Sequence, residues 1–208
     1  MNSFSMYKKF VSVLICVLLS AVFFTGCSHK AVYRTQSMKY VIDGKTAFSY
    51  SYTYTSDNKP AIIIYTSENE YNESYIDVFG YNENGEMVSY SRKFDSTIEE
   101  NYTAEKITDN KYIFRDSEGK EYLTIIFDRT GFIVSSRYTS GYVTEYAFTY
   151  DKNGKPISFK KLEILPSGSN RITEYTTEFI DSDTYRMKSI GENAIENAYY
   201  EVDCTIIK

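Results

Sequence analysis

The chain has 208 residues, with 23 Lys and Arg against 28 Asp and Glu, 22 Tyr, 13 Phe, no Trp, 3 Cys and one His. That length holds one domain or two very small ones, and an aromatic share of 17% with no low-complexity tract excludes a disordered chain. A net charge of −5 argues against a nucleic-acid partner, which needs a basic face to displace counterions, and a single His removes most metal-site and triad chemistry.

The N-terminal segment reads as an address. Residues 1–9 carry Lys8 and Lys9 and no acid, Phe10 to Phe24 are all apolar or small, and Thr25, Gly26 and Cys27 follow. A basic start, an apolar stretch and small residues at a cleavage point predict a secretory signal peptide. The apolar stretch is shorter than the roughly 20 residues that span a bilayer core. Phe24-Thr25-Gly26-Cys27 resembles the lipobox of bacterial lipoproteins, with Phe24 where Leu is usual. The resemblance implies cleavage after Gly26, a diacylglycerol thioether and acyl chains such as palmitate on Cys27, and an exported protein anchored to the bacterial membrane with its domain outside the cytoplasm. The expected organisation is a signal peptide over 1–26, a lipidated polar tether over 27–37 and one domain over 38–208. Losing Lys8 and Lys9 and no acid takes the net charge from −5 to −7. An anionic membrane repels such a body, so the lipid rather than the surface holds it.

Beyond the tether, aromatic and polar residues alternate. Phe48 to Tyr54, Tyr75 to Tyr81 and Tyr142 to Tyr150 place one aromatic face on each of three strands. Ala61 to Tyr65 and Leu123 to Phe127 read as short strands buried on both faces. A unit recurs between strands: Tyr81-Asn-Glu-Asn84-Gly85, Phe127-Asp-Arg-Thr130-Gly131, Tyr150-Asp-Lys-Asn153-Gly154 and Tyr54-Thr-Ser-Asp57-Asn58. Tyr40-Val-Ile-Asp43-Gly44 is a shorter match, and Phe114 to Gly119 fits with one extra residue. Asn-Gly and Asp-Gly favour the type I′ turn, which needs positive φ at both central residues. The units resemble YD repeats, the tyrosine-aspartate hairpin repeats of bacterial surface and secreted proteins; hairpin geometry is what that resemblance implies here. The fold class expected is all-β: an antiparallel up-and-down meander of about 12 strands, curled or partly closed, because a flat sheet of that size would leave long exposed edges. Ser96 to Glu99, a capping box, and Gly191 to Ala198 are expected to form short helical turns.

The inventory of reactive groups is narrow. Cys204 is the one thiol left in the mature domain and reads as a small buried hydrophobe, while His29 lies on the tether. Neither a metal centre nor a cofactor motif is expected, and the protein is not expected to be an enzyme; a carboxylate-pair glycan hydrolase is the third-ranked alternative. Tyrosine suits a half-buried pleated surface, where the ring packs and the hydroxyl stays wet. The same property makes the rows Tyr50, Tyr52, Tyr54 and Tyr142, Tyr146, Tyr150 candidates for a binding face toward envelope glycan or a protein partner. Ser and Thr opposite these rows favour a wet face over a greasy cavity. The function expected is a non-catalytic binding or structural module at the cell envelope, with a carrier holding an apolar ligand in a curved sheet as the alternative.

Overall fold

The computed structural model describes residues 32–68, 73–94, 99–191 and 194–207. Gly26 and Cys27, with the whole N-terminal address, lie outside them.

Fourteen strands follow one another: β1 (Val32–Ile42), β2 (Lys45–Tyr54), β3 (Pro60–Ser67), β4 (Tyr75–Tyr81), β5 (Met87–Phe94), β6 (Glu99–Thr108), β7 (Lys111–Arg115), β8 (Glu121–Phe127), β9 (Ile133–Tyr138), β10 (Val143–Tyr150), β11 (Pro156–Ile164), β12 (Asn170–Phe179), β13 (Thr184–Ile190) and β14 (Ala198–Ile207). Each pairs antiparallel with its neighbours in sequence, and β1 pairs with β14 from Val32↔Ile207 to Ile42↔Ala198, so the meander closes into a barrel. Closure removes the two edges that an open sheet would expose. The six expected turn units all fall at or between consecutive strands, and the structure has fourteen strands rather than twelve. The tether boundary also moves. Residues 32–37 form the first half of β1, because β14 offers them a ladder of hydrogen bonds. No helix forms over 194–197, where Ala194 and Ala198 donate to the carbonyls of Gly191 and Ile195 in a turn. Ser96 to Thr97 and Ile98 lie outside the described residues, and Glu99 opens β6.

The recurring unit builds one kind of turn. At residues 55–59, 82–86, 116–120, 128–132 and 151–155 the first residue's N–H donates to the carbonyl four residues on, and its own carbonyl accepts from the N–H three residues on. The preceding residue then pairs out of step with the strand that follows: Tyr54↔Pro60, Tyr81↔Met87, Arg115↔Glu121, Phe127↔Ile133 and Tyr150↔Pro156. This is a type I turn closed by a bulge whose residue sits at positive φ. Asn84 and Asn153 are therefore not left-handed; Gly85 and Gly154 alone are, which corrects the type I′ expectation. Asp43 and Gly44, at φ 49° and 75°, do form the type I′ turn expected of them. The acid of the unit explains its recurrence. Asp116, Asp128 and Asp151 each accept two backbone N–H groups of their own turn on Oδ1. Asn82 Oδ1 does the same, and Thr55 Oγ1 accepts the Lys59 N–H, so both replacements keep the clamp.

Strand direction alternates, so the turns at 55–59, 82–86, 128–132 and 151–155 share one end of the barrel with Val32 and Ile207. That end is filled. Tyr54 Oη donates to the Thr35 carbonyl at 2.6 Å, Tyr81 Oη to the Pro60 carbonyl at 2.6 Å, and Phe132 folds inward against Tyr52, Tyr146 and Phe148.

The alternation sorts the side chains by face. Inside, one aromatic cluster centres on Phe79, Tyr90, Phe114 and Phe127 and another on Phe159, Tyr175, Tyr185 and Tyr200; Tyr50, Tyr146 and Phe148 pack against both. Ring pairs such as Phe159–Tyr175 (4.2 Å, 5°) and Tyr102–Tyr122 (4.3 Å, 11°) stack between strands, each adding about 0.5–1.5 kcal/mol beyond its buried area. The outer wall mixes Ser, Thr and charge with exposed aliphatic side chains such as Val88, Ile107, Ile157, Ile172 and Ile206. Lys160–Glu174, Arg186–Glu201, Lys188–Glu178 and Arg115–Glu105 bridge neighbouring strands at 2.5–3.0 Å. An apolar outer patch, Ile62 and Ile64 opposite Val78 and Ile76, sits on β3 and β4.

Candidate functional site

A cavity of about 190 Å³ runs through the barrel interior. Phe132 closes its lower end, and Ile63, Leu123 and Ile125 line it; all four are buried. Its walls carry Tyr50, Tyr52 and Tyr146, and towards the end opposite the termini come Tyr75, Arg92, Tyr138, Tyr142 and Lys161. Four of the six tyrosines named from the sequence, Tyr50, Tyr52, Tyr142 and Tyr146, thus come together on this wall. Tyr54 and Tyr150 do not. Tyr54 lies at the filled end beneath Arg34, whose guanidinium carbon is 4.7 Å from its ring centroid, and Tyr150 is 45% exposed near the same end. The small residues opposite the rows, Ser49, Ser51, Thr53, Ala147 and Thr149, occupy the outer wall, so the wet face is their side and the tyrosines turn inward.

One half of the upper cavity is held by a buried ion pair. Asp77 and Arg92 are direct partners across β4 and β5. Arg92 Nε and Nη2 donate to Asp77 Oδ1 and Oδ2 at 2.8 and 2.9 Å, and Tyr90 Oη donates to Oδ1 at 2.9 Å. The guanidinium lies 4.0 Å over the Tyr75 ring, and Nη1 reaches Tyr138 Oη at 3.4 Å. Burial works against the Arg92 charge, but the hydrogen bonds and charge of Asp77 outweigh it and raise its pKa above the ordinary value. Burial, followed by the Asp77 charge, pushes the Tyr90 phenol well up. Losing either partner of a pair so enclosed strands a buried charge.

The other half belongs to Lys161. It faces Tyr146 across β10 and β11, and its Nζ lies 2.8 Å from Glu163 Oε1, which also accepts from Tyr142 Oη at 3.2 Å. Asp77 is the one carboxylate among the described lining residues, and both its oxygens are bound to Arg92. A glycosidase needs two carboxyl groups flanking the scissile bond. Cys204 is buried outside this cavity; its Sγ donates to the Asp183 carbonyl at 2.9 Å, and burial with nearby acids pushes the thiol up to about 12. Such a thiol is not a nucleophile at neutral pH.

Asp77, Arg92, Lys161 and Phe132 were not singled out from the sequence. Asp77 and Arg92 stand at inward positions of alternating strands, Tyr75-Ile-Asp-Val-Phe79 and Tyr90-Ser-Arg-Lys-Phe94, and a charge on an aromatic face calls for a partner on the next strand.

No protein-family profile and no curated protein matches the chain. Among solved structures, a porin-like protein from Bacteroides uniformis superposes with a TM-score of 0.36 at 16% identity; the match covers 82% of this chain and 60% of that one. The chain therefore spans less than two thirds of the length of that protein.

Proposed function

We propose that the protein is an exported bacterial lipoprotein, held to the membrane by lipid on Cys27, whose water-exposed barrel is a non-catalytic binding module with its site in the interior cavity. The observation that carries this is the sorting of the two faces. Lys160, Arg186 and Lys188 stand on the outer wall within their strands, each beside an acid, while the aromatic side chains point inward. A membrane-spanning barrel has the reverse sorting, and each Lys or Arg facing lipid at the bilayer midplane costs about 2–4 kcal/mol. Val32 enters the barrel five residues after Cys27, a reach of at most about 18 Å.

The cavity size weighs against the carrier alternative. A space of about 190 Å³ falls below the roughly 300–1,000 Å³ of drug-sized sites and takes no lipid. An envelope glycan or protein partner larger than one ring would have to meet the loops or the outer wall. The apolar patch at Ile62, Ile64, Ile76 and Val78, together with exposed Val88, Ile107, Ile157, Ile172, Ile190 and Ile206, favours a barrel within the membrane instead.

Fractionation separates the two readings. Cys27→Ala should abolish incorporation of radiolabelled palmitate and shift the chain from the membrane to the soluble fraction. A Cys27→Ala chain that stays in the membrane through a carbonate wash, or palmitate labelling that survives the substitution, would overturn the lipoprotein reading.

A further inference from the structure

Four of the lining side chains form an unbroken chain of rings along the cavity. Tyr50 and Tyr52 stand 6.3 Å apart at 28°, Tyr52 and Phe132 6.0 Å apart at 45°, and Phe132 and Tyr146 5.8 Å apart at 69°. Ile63, Leu123 and Ile125 complete the wall with aliphatic surface. These are the offset and edge-to-face spacings that rings prefer, and a further ring can join such a chain in the same geometry. The charges of the upper wall, by contrast, are already spent on the protein's own groups. Asp77 gives both oxygens to Arg92 and accepts from Tyr90 besides. Lys161 is paired with Glu163, which also accepts from Tyr142. Among the described residues, the buried side-chain polar atoms without a partner are Arg34 Nε and Thr177 Oγ1, and neither residue lines the cavity. A charge brought into this space loses its water and finds no free counter-charge, which is costly. An uncharged ring loses little water and gains contact with the rings already there.

We propose that the cavity binds an uncharged aromatic compound of a single ring, the size of phenol or benzyl alcohol. The ring joins the chain made by Tyr50, Tyr52, Phe132 and Tyr146. A hydroxyl on it points to the tyrosine hydroxyls of the upper wall, which both give and accept hydrogen bonds. The size follows from the volume: an apolar cavity of about 150 Å³ takes up benzene, and this one has about 190 Å³. The proposal rests on the reading of the barrel as a binding module and narrows it to a ligand class.

Ala31–Lys208 is one compact unit that holds every strand pairing of the barrel, so it is the object to test. Calorimetric titration with phenol and benzyl alcohol is compared with three controls. Cyclohexanol has the size and the hydroxyl without the π faces; benzoate and benzylammonium have the ring with a charge of either sign. The two neutral aromatics should bind at least about tenfold tighter than any control. Ser136→Leu, which fills the cavity from a small side chain on its wall, should abolish that binding while the barrel still melts cooperatively. Ile63→Phe fills it from the aliphatic side, should the first variant not fold. Cyclohexanol equal to phenol overturns the aromatic class, and benzoate or benzylammonium equal to benzyl alcohol overturns the uncharged class; either result leaves the cavity a binding site. Phenol binding indifferent to a folded filling variant lies elsewhere and overturns the proposal. Failure of all five compounds to bind up to about 10 mM removes both the proposal and the cavity as the module's site.

Discussion

Two turns of the same construction, at 128–132 and at 151–155, end in opposite surroundings. Asp128 and Asp151 donate their N–H groups to the carbonyls of Phe132 and Lys155 at 2.8 Å each, and accept from Gly131 and Gly154 at 3.1 Å each. Their Oδ1 atoms clamp the same two N–H groups, at 2.8 and 3.0 Å in the first turn and 2.8 and 2.9 Å in the second. Both glycines are buried and both second residues, Arg129 and Lys152, are exposed; yet Thr130 and Phe132 are buried, while Asn153 is exposed and Lys155 half-buried. The residue just past the left-handed glycine makes the difference. Phe132 turns into the barrel against three other rings, whereas the half-buried Lys155 sets its ammonium 4.5 Å over the Phe179 ring. Turn chemistry sets the hairpin; one side chain decides whether it also closes the barrel and floors the cavity.

Truncating that side chain in both turns tests the contrast most severely. Phe132→Ala should cost about 3–5 kcal/mol and open the cavity towards the end that holds Val32. Lys155→Ala removes a cation–π contact between two half-buried side chains and should cost at most about 2 kcal/mol. Urea unfolding of the two variants measures both. Equal losses would mean that Phe132 is not a floor.

The glycines sharpen the same point at a smaller scale. Gly131 has φ 82°, and a Cβ there would meet Pro60 Cδ and Tyr54 Cε1 at 3.1 Å and the Asn58 carbonyl at 3.2 Å. Gly119 has φ 78° in the like turn at 116–120, with open space around it. Ala at Gly119 should therefore cost only the left-handed penalty of about 1–2 kcal/mol. Ala at Gly131 should cost that and the displacement of the 55–59 turn besides. If the two substitutions prove equal, the turns at 55–59 and 128–132 are not packed together.

Much of this was legible in the sequence. The alternation of Phe48 to Tyr54 and Tyr142 to Tyr150 gives strands with one aromatic face, and the Asp-x-x-Gly spacing gives the reversals, because both are local. Which face turned inward was not local. Alternation says that Tyr52 and Ser51 oppose each other, and only closure through β1 and β14 says which one meets water. The first half of β1 was unreadable for the same reason: Val32 to Ser37 has no clear period of its own and becomes a strand because β14 pairs with it across the whole length of the chain. The site suffered most. Asp77 and Arg92 carry the right parity to be inward, but Lys161 becomes a cavity cation only through its place opposite Tyr146.

The two acids give the finest separation. In the 151–155 turn, the N–H of Lys155 above all holds the Asp151 carboxyl below the ordinary carboxylate value. Asp128 has the same clamp plus the Thr130 hydroxyl at 2.6 Å, but burial dominates and raises it. The signs of their linkage to stability are therefore opposite. The Asp151 contribution is present above its unfolded pKa and is lost as pH falls below about 3.8 through the lower folded value. The Asp128 contribution is present below that pH and is lost as pH rises through its raised folded value. Carboxyl-carbon NMR titration should show Asp128 ionising above the ordinary value and Asp151 below it. Asp128→Asn, which keeps one acceptor for the two N–H groups and removes the buried charge, should be tolerated at pH 7 better than Asp151→Asn. The reverse order, or coincident titrations, would show that burial of the 128–132 turn does not reach its carboxylate.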